Sequence, residues 1–134
     1  MQKVRIERLD ETGVLTEENE KHLHDYLVRF RKVYGFSMQV WVRKTPFPQD
    51  VLQRMKLSGA LLLGLCPDAR EVVFYAPPLA SGLLGQTFID HMRFEHFTPY
   101  FENGTWPVGL AKALSLLTQK LDEAIEPDTK GGTP

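Results

Sequence analysis

Cysteine is nearly missing from this chain: Cys66 stands alone among 134 residues. No internal disulfide can form, which suits a reducing compartment. Charge of one sign is also missing, since 16 Lys and Arg against 17 Asp and Glu leave a formal net charge of -1. That balance removes the electrostatic case for nucleic acid or for an anionic membrane surface. Long apolar runs are absent as well. The longest, GALLLGLC, falls well short of the roughly 20 residues that cross a bilayer as a helix. The opening MQKVRIERLDE has no apolar stretch of the secretory kind. No internal repeat, phosphate-binding loop, dinucleotide fingerprint or G-x-S-x-G elbow occurs. The expectation is a soluble chain with no membrane segment, the cytoplasm being favoured.

What is present suits a folded domain. Hydrophobic residues make up 43% and charged residues 25%, the proportions of a globular protein. The length fits one domain, 1–126, followed by a disordered tail, PDTKGGTP, at 127–134.

Local patterns give the elements. VRIERL places Val4, Ile6 and Leu9 as a short strand. Thr16 precedes Glu17, Glu18 and Glu20, an N-cap followed by acids where the helix dipole favours them. Leu23, Tyr26, Leu27, Phe30, Val33 and Tyr34 then recur at helical spacing, and Gly35 stands where a C-terminal cap wants positive φ. SMQVWVRK alternates as a strand, with Met38, Val40 and Val42 on one face and Trp41 on the other, and Pro46 and Pro48 stop it. A short helix is expected over 50–57. GALLLGLC is apolar without alternation, as in a strand covered on both faces. PDAR turns the chain, and EVVFYA returns as the partner of an antiparallel hairpin.

PPLASGLLG reads as an apolar loop, either packed down or waiting for a partner. Thr87 with Asp90 resembles a capping box for a helix running toward Pro99. Thr105 opens a last helix, with Pro107 tolerated in its first turn. Leu110, Leu114, Leu117, Leu121 and Ile125 line one face of it, and Pro127 ends it. The fold class that follows is α/β. A single mixed, partly parallel sheet of about four strands is expected, with helices on both faces.

Three stretches carry a resemblance. LDETGVLTEENEKHL, YGFSMQVWV and PYFENGTWPVGL, in this order and spacing, resemble the TPM domain family, the thylakoid acid-phosphatase-like domain of bacteria and plants. The likeness covers roughly residues 4 to 125. It implies divalent-cation binding, often calcium, and in some members phosphatase activity, from acidic residues in loops at one end of the sheet. Such chemistry is physically sensible, because a hard cation wants several oxygen ligands and can polarise a phosphoryl oxygen.

Asp10 matches the family's opening acid. Elsewhere this chain departs from the pattern. Lys56, Leu57 and Ser58 stand where Asp-Asn-Gly is usual, Ser81 aligns with a glutamate, and Gln86 with an aspartate. Ser58, Ser81 and Gln86 offer only neutral oxygens. The resemblance therefore implies the fold and leaves calcium as a possible ligand. The expected function is a non-catalytic binding or scaffold module for a protein partner. Its working surface is expected at Asp10, Ser58, Leu79, Ser81, Leu83, Leu84 and Gln86. The alternative is a metal-dependent phosphomonoesterase with a rearranged site.

Other constellations are weaker. His22 and His24 are two apart on a helix and point to different faces. His91 and Glu95, four apart, share a face. With Asp90 nearby they are either a transition-metal pair lacking a third ligand or a surface ion pair. Cys66 reads as a buried, inert thiol. Trp41 is either covered by a helix or exposed beside Arg43 as a partner contact. PYFENGTWPVGL itself reads as an inter-helix corner, with Pro99 and Gly104 shaping the turn and Tyr100, Phe101 and Trp106 filling it.

Overall fold

The computed structural model describes residues 8–10, 12 and 14–125. The tail at 127–134 and the start of the first expected strand, Val4 and Ile6, lie outside the described residues. The chain forms two compact units, Met1–Pro77 and Pro78–Pro134.

The first unit holds a four-stranded sheet in the order β1-β2-β3-β4. β1 (Arg8–Asp10) lies parallel to β2 (Met38–Val42), and β2 lies parallel to β3 (Leu61–Cys66). β4 (Glu71–Tyr75) runs antiparallel to β3, closing the expected hairpin. The sheet is thus mixed and partly parallel, as the alternation of strands and helices requires.

α1 (Glu17–Tyr34) links β1 to β2 and forms where the local signals place it. The Asn19 amide donates to Thr16 Oγ1 at 3.1 Å. At the other end Gly35 takes φ 81, and its N–H reaches the Arg31 carbonyl at 3.0 Å. A side chain would strain that left-handed position. Leu23, Leu27 and Phe30 are the buried positions of α1, at i, i+4 and i+7. Phe30 meets Phe36 edge to face at 5.4 Å.

β3 carries the centre of the core. All six of its residues are buried, four of them leucines. Each leucine contributes about 1.5–3 kcal/mol relative to an exposed one. Register assigns the faces. Met38, Val40 and Val42 stand beside Leu61, Leu63 and Leu65 on one face, with Trp41 beside Gly64 on the other.

α2 (Gln49–Lys56) covers that second face. Phe47 and Met55 pack on Leu62 and Cys66, and Trp41, Val51, Leu52, Val73 and Tyr75 close around them. Trp41 is therefore covered rather than presented, and its Nε1 donates to Gln39 Oε1 at 3.2 Å. Phe47 sits so close over β3 that a Cβ at Gly64 would lie 2.7 Å from Cζ of its ring.

The second unit is helical: α3 (Pro78–Leu84), α4 (Gln86–Phe94), α5 (Thr98–Glu102) and α6 (Trp106–Ile125). Four expectations need correction here. Residues 78–84 are a helix and not a loop. Pro78 takes the first helical position, where a missing N–H costs nothing. Ala80 and Leu84, four apart, then bury one face. α4 opens one residue earlier than Thr87, behind Gly85 as N-cap with no side-chain cap bond. α4 also ends at Phe94 and does not continue toward Pro99, which instead sits in the first turn of a separate α5. In α6 the expected stripe holds for Leu110, Leu114, Leu117 and Leu121, whereas Ile125 is exposed.

Candidate functional site

The two ends of the sheet sort the expected surface. Asp10 closes β1 opposite Val42, at the end where β2 and β3 also finish and where β4 begins. Ser58 lies in the turn entering Leu61, at the other end, where β2 starts and Tyr75 completes β4. The four steps from Met38 to Val42 span about 13 Å at ~3.3 Å per residue. Asp10 and Ser58 are thus not brought together. Parallel pairing dictates this, since a residue that ends β1 and one that precedes β3 lie at opposite ends of the sheet.

At the Ser58 end the polar atoms are already engaged. Ser58 Oγ donates to the Met55 carbonyl at 2.8 Å and accepts from the Ala60 amide at 3.2 Å. The hydroxyl ties off the end of α2, a local competition for backbone groups typical of serine. Lys56 Nζ lies over the Tyr75 ring, 5.6 Å from its centroid. This places a cation where the resemblance implies acids. Leu57, at the tip of the turn, is 85% exposed.

The remaining expected residues belong to the helical unit. On α3, Leu79 is 65% exposed, Ser81 and Leu83 are half-buried, and Leu84 is buried. Leu84 is thus a packing residue, while Leu79 and Leu83, four apart, share the outer side. Gln86 Nε2 donates to Asp90 Oδ1 at 2.8 Å. That bond takes Asp90 as the acceptor for Gln86.

His91 and Glu95 do share a face: Nδ1 of His91 lies 3.0 Å from Glu95 Oε1. Among the described residues, no group of three or more His, Cys, Asp or Glu is arranged to hold a metal. No helix among them is long and apolar enough to cross a membrane.

One residue escaped the sequence reading. Among the described residues, His96 is the buried polar side chain, 8% exposed. Its Nε2 lies 2.9 Å from the Gly109 carbonyl. A carbonyl only accepts, so Nε2 carries the proton and Nδ1 is bare. The His96 ring stands edge-on to Phe97 at 4.8 Å and is tilted against Tyr100 at 5.4 Å. Burial holds its pKa below the ordinary histidine value. A nearby His91 charge pushes the same way, and the Gly109 hydrogen bond opposes both.

The corner around it answers why PYFENGTWPVGL is built as it is. Gly104 turns the chain at φ 69, in the region that favours glycine. The Thr105 amide reaches back to the Tyr100 carbonyl at 2.8 Å. Gly109 leaves its helix face bare so that Tyr100 can lie on it; a Cβ there would meet Tyr100 Cγ at 2.7 Å. The signal for His96 was its spacing to Tyr100, four residues on.

A model of the TPM domain matches residues 9–120. Among solved structures, the chain is similar to the solution NMR structure of the N-terminal domain of a protein from P.gingivalis. The TM-score is 0.74 at 21% identity, over 90% of this chain and 85% of that one. At that identity the likeness speaks to the fold alone. No curated protein matches the chain.

Proposed function

The chain belongs to the TPM domain family, and from that premise we propose that it acts as a binding module rather than as a metal-dependent phosphatase. One observation carries the reading. Where the family resemblance implies carboxylates, this chain offers the neutral side chains of Ser58, Ser81 and Gln86; the Ser58 hydroxyl both donates to Met55 and accepts from Ala60, and the Gln86 N–H donates to Asp90. A doubly charged ion needs several oxygen ligands, and charge on them sets its affinity. Asp10, the matching acid, stands at the far end of the sheet from Ser58.

What the module presents is apolar. Leu57 at the α2–β3 turn and Leu79 on α3 are exposed leucines, each in its own unit. The partner this implies is a protein that buries leucine side chains in a pocket.

The test has two arms. Calorimetry with calcium should show no micromolar binding, and a chromogenic phosphate ester should not turn over above background with calcium, magnesium or manganese. A micromolar calcium site lost on Asp10→Ala would overturn the reading, as would metal-dependent turnover, which favours the phosphomonoesterase. In the second arm, Leu57→Lys and Leu79→Lys fold normally but lose partners captured by crosslinking in cells. Retention of every crosslink in both variants would also count against it.

A further inference from the structure

We infer that the α4–α5–α6 corner is an acid-weakened latch, in which proton uptake at His96 loosens α5 from α6 while the sheet unit stays closed. The geometry carries it. His96 is buried in a pocket walled by Phe97 and Tyr100, with its Nε2–H spent on the Gly109 carbonyl. A second proton must enter at Nδ1 and place a full charge among aromatic rings. Burying such a charge is costly unless an opposite one meets it.

The groups around His96 do not supply one. From α4, His91 faces it ring to ring at 5.8 Å, a neighbour that repels when charged. Glu95, the nearest acid in sequence, is turned to His91 Nδ1. Asp90 accepts from Gln86, and Arg93 brings charge of the wrong sign. From α5 comes the Tyr100 ring, with Glu102 exposed beyond it. From α6 the facing group is the Gly109 carbonyl, and the next charged residue, Lys112, is an exposed cation. Two histidines, one carbonyl and two rings form a site that favours neutral imidazole over imidazolium.

The sign follows from linkage. The folded pKa of His96 is lowered by burial, then by His91. The neutral form therefore stabilises the corner fully above the ordinary value of about 6.5, and this stability is lost as pH falls toward the folded pKa. One proton allows at most about a tenfold loss of protection at pH 5.5, one unit below the unfolded value.

The test is amide hydrogen exchange on the full chain at pH 7.5, 6.5 and 5.5, corrected for intrinsic rates. Three amides report the corner: Phe101 to Phe97, Thr105 to Tyr100, and Gly109 to Thr105. Two report the sheet: Arg43 to Leu65, and Leu61 to Ser37. Corner protection falls measurably, by a factor below the tenfold ceiling, while sheet protection holds. In His96→Asn, which keeps an N–H donor and cannot titrate, the selective fall disappears. In His91→Gln, an exposed change that removes the repelling neighbour, the fall is smaller than in the parent.

Constant corner protection, or an equal fall in the sheet amides, overturns the latch. If His96→Asn does not fold, His96→Gln, which also keeps an N–H donor and cannot titrate, decides alone: a selective fall that persists in it refutes the inference.

Discussion

Substituting Gly109 by alanine tests whether close approach, rather than helix propensity, governs α6 at this point. In an ordinary helix interior the change stabilises by about 1 kcal/mol. Here the added Cβ would lie 2.7 Å from Tyr100 Cγ, 2.8 Å from Cδ2 and 3.0 Å from Cβ. These atoms are the root of the tyrosine and not its tip, so relief requires α5 itself to move. Overpacking of this kind costs about 1–3 kcal/mol.

Moving α5 also strains the bond from His96 to the Gly109 carbonyl at 2.9 Å, worth about 1 kcal/mol. The balance is a net loss of about 1–3 kcal/mol. For a chain of this size that lowers the melting temperature by about 3–10 °C. Urea unfolding followed by tryptophan fluorescence measures the loss directly. Repeating Gly109→Ala in a Tyr100→Ala background should recover most of the cost, since the clashing ring is gone. A Gly109→Ala protein as stable as the parent, or an equal cost in both backgrounds, refutes the reasoning.

Further outcomes follow from the same structure. Thr16→Ala removes the acceptor for the Asn19 amide and should cost about 1 kcal/mol in chemical unfolding, with Thr16→Asp close to neutral. Leu63→Ala empties a site 1% exposed at the centre of the sheet; the expected loss is about 2–5 kcal/mol by calorimetry or urea titration. Gly64→Ala drives a Cβ into the Phe47 ring tip, which can tilt away more readily than a side-chain root, and should destabilise by about 1 kcal/mol, less when paired with Phe47→Leu. Gln86→Ala breaks an exposed bond to Asp90 and should shift stability by no more than about 0.5 kcal/mol.

Much of the fold was readable from neighbours in sequence. Thr16, the three glutamates after it and Gly35 specify α1 from both ends by capping, which is a local affair. β3 announced itself by an apolar run with no polar side, and the hairpin by a short turn between two such runs. α3 was hidden because Pro77-Pro78 and Gly82 speak locally for a loop, while burial of Ala80 and Leu84 decides for a helix. The candidate surface was less legible still. Asp10 and Ser58 both sit next to strands, but the parallel direction of β1, β2 and β3 puts them at opposite ends of the sheet. His96 carried no motif, because its environment is made by Phe97, Tyr100 and a carbonyl thirteen residues away.

The lone sulfhydryl of Cys66 sits at 0% exposure at the end of β3, beneath Phe47 and Met55. An alkylating reagent can reach it only when that lid and the strand part. In a chain with a single cysteine, the rate of maleimide attachment therefore times the opening of the sheet with no labelling handle added. Combined with the corner amides, it gives each unit its own stopwatch.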